Sequence, residues 1–495
     1  MTRAQGFCLV LLLTSPTWAR GDLGYLVSTV AEEIAEEQTV LPAYLRHPDR
    51  ADLVVLSSLV DGSRKGAVYG LSELFQYDAA PIATFEVPAD VVLVDTGRWQ
   101  DRDTLVFFTA DRAIRFDPFT ESVQQLARID SAYRVPVAKS LPRLDIFRDM
   151  NEDGLDDLMI PGFTGYTLYL QLPDGHFDDG TSIAAPPAME MSFDQQPWYQ
   201  SRILFSADMT LDGLTDIVCW VDDAFRIFPR LPNGRYAADF LTRPSPVPLE
   251  FDGVELASYD MRDEDQSDLD QRSLYQVRDL DGDSLPELIT LNIRSEGVFR
   301  KQSTYEVYRG QRGPDKTLTF TTEPVSVIRS NGIQFGLVEH DLNADGQLDM
   351  VISSVQLGIG KIVGALLTGS ISFDLNFYRM DAGVYPSKPD IERPVTATFN
   401  LSSGDFFLPF VLIGEVNGDA AADLLVQDGN SLFNVYEGVP GAGLFQRQGK
   451  SVSLDLPSDP DLVELVDLNA DGRQDLVFTI ERLDKRNKVS VVIFE

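Results

Sequence analysis

Six short turns in this chain place oxygen-bearing side chains at alternate positions. Three follow the pattern acid-x-Asn-x-Asp-Gly-x-x-Asp throughout: Asp149, Asn151, Asp153 and Asp157; Asp341, Asn343, Asp345 and Asp349; and Asp467, Asn469, Asp471 and Asp475. In a tight loop, side chains at positions 1, 3, 5 and 9 can converge on one point, joined by a backbone carbonyl from position 7. Calcium takes six to eight hard oxygen ligands, and alternate loop residues supply them. The glycine at position 6 permits the sharp turn with positive φ. Asp208, Thr210, Asp212 and Asp216 exchange one ligand for a hydroxyl, which is expected to weaken binding. Asp279, Asp281, Asp283 and Glu287 keep the acids but carry Gly282 at position 4. Glu415, Asn417, Asp419 and Asp423 likewise have Gly418 at position 4, with Ala420 at position 6. One such turn is ordinary turn chemistry. Six, each followed by an apolar strand, predict several structural Ca2+ sites. Without metal the clustered carboxylates repel one another, so metal and fold are expected to be coupled.

The elements that hold these turns form a repeat. Each unit reads as an apolar strand, the acidic turn, a second apolar strand and two further strand-like pieces. The turns begin at Asp149, Asp208, Asp279, Asp341, Glu415 and Asp467, spaced by 59, 71, 62, 74 and 52 residues. Two worn copies precede them. Asp90 to Phe108 keeps the strands and loses the turn pattern, and Asp52 to Tyr69 matches it nearly strand for strand. Repeats of this length, each with several short strands, predict an all-β fold: a β-propeller of eight four-stranded blades, or seven if the first copy lies outside the ring. Runs such as Thr104 to Phe108 are apolar rather than alternating, as strands sandwiched between neighbouring blades require. The last repeat supplies three evident strands, around Leu462, Leu476 and Val489. That leaves a place for a strand from residues 20–51 to close the ring ahead of a propeller over 52–495. Ala31 to Glu37 is the one good helical stretch, and Tyr259 to Gln271 and Ile371 to Tyr378 read as insertions, the first too acidic for a core.

Residues 1–19 read as a secretory signal: Arg3, the apolar run Phe7 to Leu13, and a cleavage site at Thr17-Trp18-Ala19. The protein is accordingly expected to be secreted or periplasmic, with the cell surface as a further destination. No later segment approaches the ~18 apolar residues that span a bilayer. With 77 acidic against 41 basic side chains, the net charge of −36 disfavours nucleic acid and anionic lipid as partners. Of two cysteines, Cys8 leaves with the signal and Cys219 sits in a strand-like run, so no internal disulfide is expected to brace the exported chain.

At the acidic turns the chain resembles the FG-GAP or VCBS repeats of integrin α-subunit propellers and of many exported bacterial proteins. The resemblance implies calcium at the residues named above, position by position, held structurally between the first two strands of a blade. Clear Phe-Gly and Gly-Ala-Pro signatures are missing and the first two repeats lack the loop, so an integrin-like partner does not follow. Arg20-Gly21-Asp22 abuts the cleavage site and reads as coincidence. The three histidines, His47, His176 and His340, are not spaced as zinc ligands, and no catalytic constellation or phosphate loop is legible. A binding, adhesion or scaffold role toward protein or glycan partners is therefore the leading expectation. The alternative is a polysaccharide-active, lyase-like enzyme on a similar calcium-bearing scaffold. Trp99 and Trp198-Tyr199 are its candidate sugar-stacking residues; its difficulty is that Lys and Arg are not visibly clustered along the sequence.

Overall fold

The computed structural model describes residues 23–495 apart from 138, 192–196, 253–269, 296, 298–300, 315, 331, 356–358, 401–405, 442 and 482–485. The signal segment 1–19 and most of the acidic insertion 259–271 thus lie outside the described residues. Among the described residues eight four-stranded antiparallel blades form the ring, seven of them with their strands in sequence order, and two short hairpins, Ala188–Met191 with Pro197–Gln200 and Gly310–Arg312 with Leu318–Phe320, lie outside the blade sheets. Blade 1 is built from Glu37–His47, Arg50–Ser58, Arg64–Tyr69 and Ala83–Glu86. Blades 2, 3, 4 and 7 repeat this order, while blades 5 and 6 each carry a fifth, two-residue strand at one edge. In blade 8 the strands Val463–Val466, Asp475–Ile480 and Arg486–Phe494 are joined by Tyr25–Ile34, which pairs from Tyr25↔Phe494 to Ile34↔Arg486.

This pairing overrides the helical expectation for Ala31 to Glu37. Val27, Thr29 and Val30 are β-branched and strand-favouring, and Val30 is 1% exposed in the layer between blades 8 and 1. The segment Ile371 to Tyr378 is likewise no loop but part of the third strand of blade 6, Ser370–Tyr378. An α-helix lies just before it, at Ile359–Thr368.

The core is a set of layers between blades rather than one central mass. Leu41, Val54 and Val68 of blade 1 pack against Val94, Leu105, Phe107 and Phe116 of blade 2, and the same layering recurs around the ring. Second strands are covered on both faces, so Asp216–Val221 is buried at every position. That explains why those runs do not alternate. Cys219 belongs to this strand, fully buried among Met159, Leu168 and Phe228. Removing a side chain such as Phe107, 1% exposed, would cost about 3–5 kcal/mol.

Antiparallel order puts the turn between strands one and two of every blade on the same face as the hairpin between strands three and four. All six acidic turns therefore lie on one face of the ring.

Candidate metal centres

The six acidic turns share one backbone. Position 4 is left-handed in every one, at Glu152, Leu211, Gly282, Ala344, Gly418 and Ala470, with φ between 54° and 85°. Position 6 is left-handed as well, at Gly154, Gly213, Ser284, Gly346, Ala420 and Gly472. The glycine shift in the blade 5 and blade 7 turns thus leaves the loop unchanged, because each loop has two left-handed seats and glycine fills either. A non-glycine residue in such a seat costs roughly 1–2 kcal/mol.

Position 1 folds the loop around itself. Asp149 accepts from the N–H groups of Asp153 and Gly154 at 3.2 and 2.8 Å, Asp208 from Asp212 and Gly213, and Asp341 from Asp345 and Gly346. Asp279 accepts from Gly282 and Ser284, Glu415 from Gly418 and Ala420, and Asp467 from Asn469 and Gly472. At position 3, Asn151, Asn343 and Asn469 each donate to the carboxylate at position 5, at 2.9–3.1 Å. Asn417 instead reaches inward to Asp423 Oδ1 at 2.9 Å. Asp279, Asp281 and Asp283 bring three carboxylate oxygens within 4.8 Å of one another. Oxygens so spaced fit a shared hard cation with ligand bonds of about 2.3–2.6 Å. In blade 4 the hydroxyl of Thr210 is buried without a hydrogen-bond partner, at the position where the other loops carry Asn or Asp. The blade 8 loop differs, since the Arg473 guanidinium engages Asp471 and offers that carboxylate a resident cation.

Position 9 has a role that spacing alone does not reveal. Asp157, Asp216, Glu287, Asp349, Asp423 and Asp475 are 0–2% exposed. One oxygen of each accepts from the position-2 N–H, and the other from an N–H just beyond the third strand or, for Asp475, near its end, at 2.7–3.4 Å. Each acid therefore clamps three strands of its own blade. Burial raises their pKa values, with the loop carboxylates adding to the rise: to about 7 for Asp157 and Asp475, about 8 for Glu287, and about 6 for Asp216, Asp349 and Asp423. A cation in the loop would favour their ionised forms.

The loops also join blades. Leu348 N donates to Leu280 O, Gln474 N to Glu415 O and Ala51 N to Leu468 O, each crossing from one blade to the one before it in the ring. Pro286 stands where blade 5 would need this donor and has none to give. Hairpins between strands three and four press on the preceding blade's loop. Tyr236 donates its hydroxyl to Met150 O at 2.6 Å, Arg230 donates to Asn151 O at 2.8 Å, and Gly441 N donates to Asn343 O. These aromatic-bearing hairpins recur at Leu71↔Tyr77, Gln171↔Phe177, Arg230↔Tyr236 and Gly438↔Phe445. Sequence reasoning passed over them. The signal available was a Tyr or Phe shortly after a turn, at Tyr77, Phe177, Tyr236 and Phe445, in four of the eight repeats.

Blade 1 meets the same need without a loop. Asp52, 0% exposed, lies near the start of its second strand and receives Arg46 Nε and Nη2 at 3.0 and 2.8 Å. Of the remaining sequence candidates, His176 is an exposed turn residue beside Asp174, and His340 meets the Asp341 carbonyl at 3.2 Å. Trp99 is half-buried, with Arg115 over its ring at 4.3 Å and its indole N–H on Gly175 O. Tyr199 is half-buried and donates to Gly162 O at 3.1 Å.

No family model and no curated protein matches the chain. Among solved structures it is similar to an Agrocybe aegerita lectin studied for recognition of non-reducing terminal N-acetylglucosamine. The identity is 14%, the TM-score 0.38, and 88% of this chain and 99% of the lectin are covered. It is also similar to the WD40 domain of SCAP from fission yeast, at 9% identity and a TM-score of 0.37, covering 95% and 94% of the two chains. Likenesses this distant carry no ligand across; the propeller rests on the strand pairing itself.

Proposed function

We propose that the chain is an exported, calcium-stabilised propeller of the FG-GAP or VCBS kind that serves as a binding or scaffold module for protein or glycan partners. The observation that supports this most is the sixfold recurrence of one strained, oxygen-rich loop on one face of the ring. Residues at positions 1, 3 and 5 would hold the ion, with the buried acid at position 9 beneath them. Calcium supplies positive charge that offsets the crowded carboxylates. The chain's own residues then hold the ring together, the buried acids by clamping strands and the loops by bracing the next blade. A rigid ring braced in this way suits presentation of a surface to a partner.

Elemental analysis of the purified mature protein, with thermal unfolding in calcium, in magnesium and after chelation, tests the reading. We expect several calcium ions per chain and a melting temperature that chelation lowers and calcium restores, with magnesium restoring little. Absence of bound calcium together with unchanged melting would refute it. N-terminal sequencing of the exported protein tests the secretory signal, with cleavage expected after Ala19.

A further inference from the structure

On the face that carries the six acidic loops, blades 1 and 2 present a different chemistry. Their turns contain Arg46, His47 and Arg50 beside Asp49, and Arg98 and Arg102 beside Asp101 and Asp103, in a chain of net charge −36. Folding gathers cations that the sequence spaces far apart. Between these turns lies a cavity of about 400 Å³, lined by Tyr44, Arg46, His47, Arg98 and Arg102, with Ala470 of the blade 8 loop at its edge.

The site is held rigidly. Arg46 is fixed by the buried Asp52 through Nε and Nη2, which leaves Nη1 uncommitted to that pair. Gly70 makes room for it, since a Cβ there would lie 2.1 Å from Arg46 Nη2. The turn bearing Arg98 is pinned by blade 3: Arg98 N donates to Asp156 Oδ2, Gln100 N to Gln171 Oε1, and Asp156 N to Arg98 O. The exposed Arg98 side chain forms no ion pair with any described residue. Tyr44 is anchored at both ends, its N–H on Asp103 Oδ2 at 2.9 Å and its hydroxyl on Asp467 O at 2.8 Å.

The lining acids are unequal. Asp103 is engaged by Tyr44 N, whereas Asp101 is 79% exposed and only 3.6 Å from Arg102 Nε. Arginine forks match a carboxylate, and an exposed aspartate beside them, here in a surface ion pair with Arg102, also accepts from hydroxyl groups. A bare anion would meet Asp101 as a repulsion; a hydroxylated carboxylate would use it. We infer that this pocket binds the carboxylate of an acidic sugar, with Arg98 and Arg102 on the carboxylate and Asp101 on a hydroxyl. The inference rests on the binding-module reading and names a ligand class for it.

The test is calorimetric titration of the calcium-loaded mature chain with sodium glucuronate, glucose and sodium sulfate. Glucuronate should bind, and at least about tenfold more tightly than glucose, since the charge-assisted bonds are lost with the carboxylate. Arg98→Ala combined with Arg102→Ala should weaken glucuronate at least about tenfold and leave the melting temperature unchanged, because both side chains are exposed. Asp101→Ala should weaken glucuronate and not sulfate. No glucuronate binding, equal binding of sulfate and glucuronate, or binding indifferent to these substitutions would each overturn the inference. Calcium content and melting behaviour, measured on the same samples, report separately on the scaffold reading.

Discussion

Blades 1 and 3 solve one problem in two ways. Each carries a fully buried aspartate at or near the start of its second strand, Asp52 or Asp157, that must be compensated. Blade 3 gives Asp157 two backbone N–H donors and builds an acidic loop above it. Blade 1 shortens the turn between His47 and Arg50 and brings in Arg46 as a covalently attached cation. The comparison teaches that the buried acid recurs in seven of the eight blades, Thr104 standing in its place in blade 2, and that what compensates it differs between blades. An arginine is always present. A bound ion depends on the surroundings, so six blades of this ring should answer to calcium concentration and blade 1 should not.

The largest expected effect separates the two kinds of blade directly. Chelation should loosen blades 3 to 8 and spare blade 1, read as loss of amide protection by hydrogen exchange. Each site held at a hundredfold over its Kd contributes about 2.7 kcal/mol, so the fall in melting temperature should be large. Uniform loss of protection including blade 1 would break the comparison. Next come the buried partners themselves. Arg46→Ala should cost about 3 kcal/mol by stranding Asp52, equally in calcium and in chelator. Asp349→Ala leaves the N–H groups of Leu342 and Met380 without acceptors and should cost about 2–5 kcal/mol in chelator, and more in calcium. Both are measured by denaturant unfolding.

A third effect concerns pH. The six position-9 acids have folded pKa values raised above the unfolded carboxylate range, so the native state holds the extra protons. Their contribution in chelator is fully present below about pH 4 and is lost as pH rises through 6 to 8. Calcium prefers the ionised acids, so the gap between melting curves in calcium and in chelator should widen from pH 5 to pH 8. A gap independent of pH would remove these acids from the metal account. The smallest effect is conformational: Ala344→Gly relieves a left-handed alanine and should stabilise by about 1 kcal/mol, whereas Gly346→Ala should destabilise by a similar amount.

The propeller and its blade count were legible because the acidic turns repeat in order and each precedes an apolar run. The candidate loops were legible for the same reason, since their residues are neighbours in sequence. What stayed hidden depends on long-range partners. The clamp on Asp157 needs Gln171 N, fourteen residues on, and Tyr236 reaches Met150 across a blade boundary. Arg98 and Arg46 are dispersed in the chain and meet only when blades 1 and 2 pack side by side. Ala31 to Glu37 misled because its local preference for helix is outweighed by pairing along Arg486–Phe494.

That last pairing has a kinetic consequence. The outer strand of blade 8 comes from the start of the chain and its partner from the end. During synthesis Tyr25–Ile34 must wait, unpaired, until the whole ring has been made. Until then the nascent protein has open edges at both ends, the condition that favours strand exchange between copies. The slowest folding step should therefore be ring closure, and a peptide of residues 25–34 added in excess should compete with it.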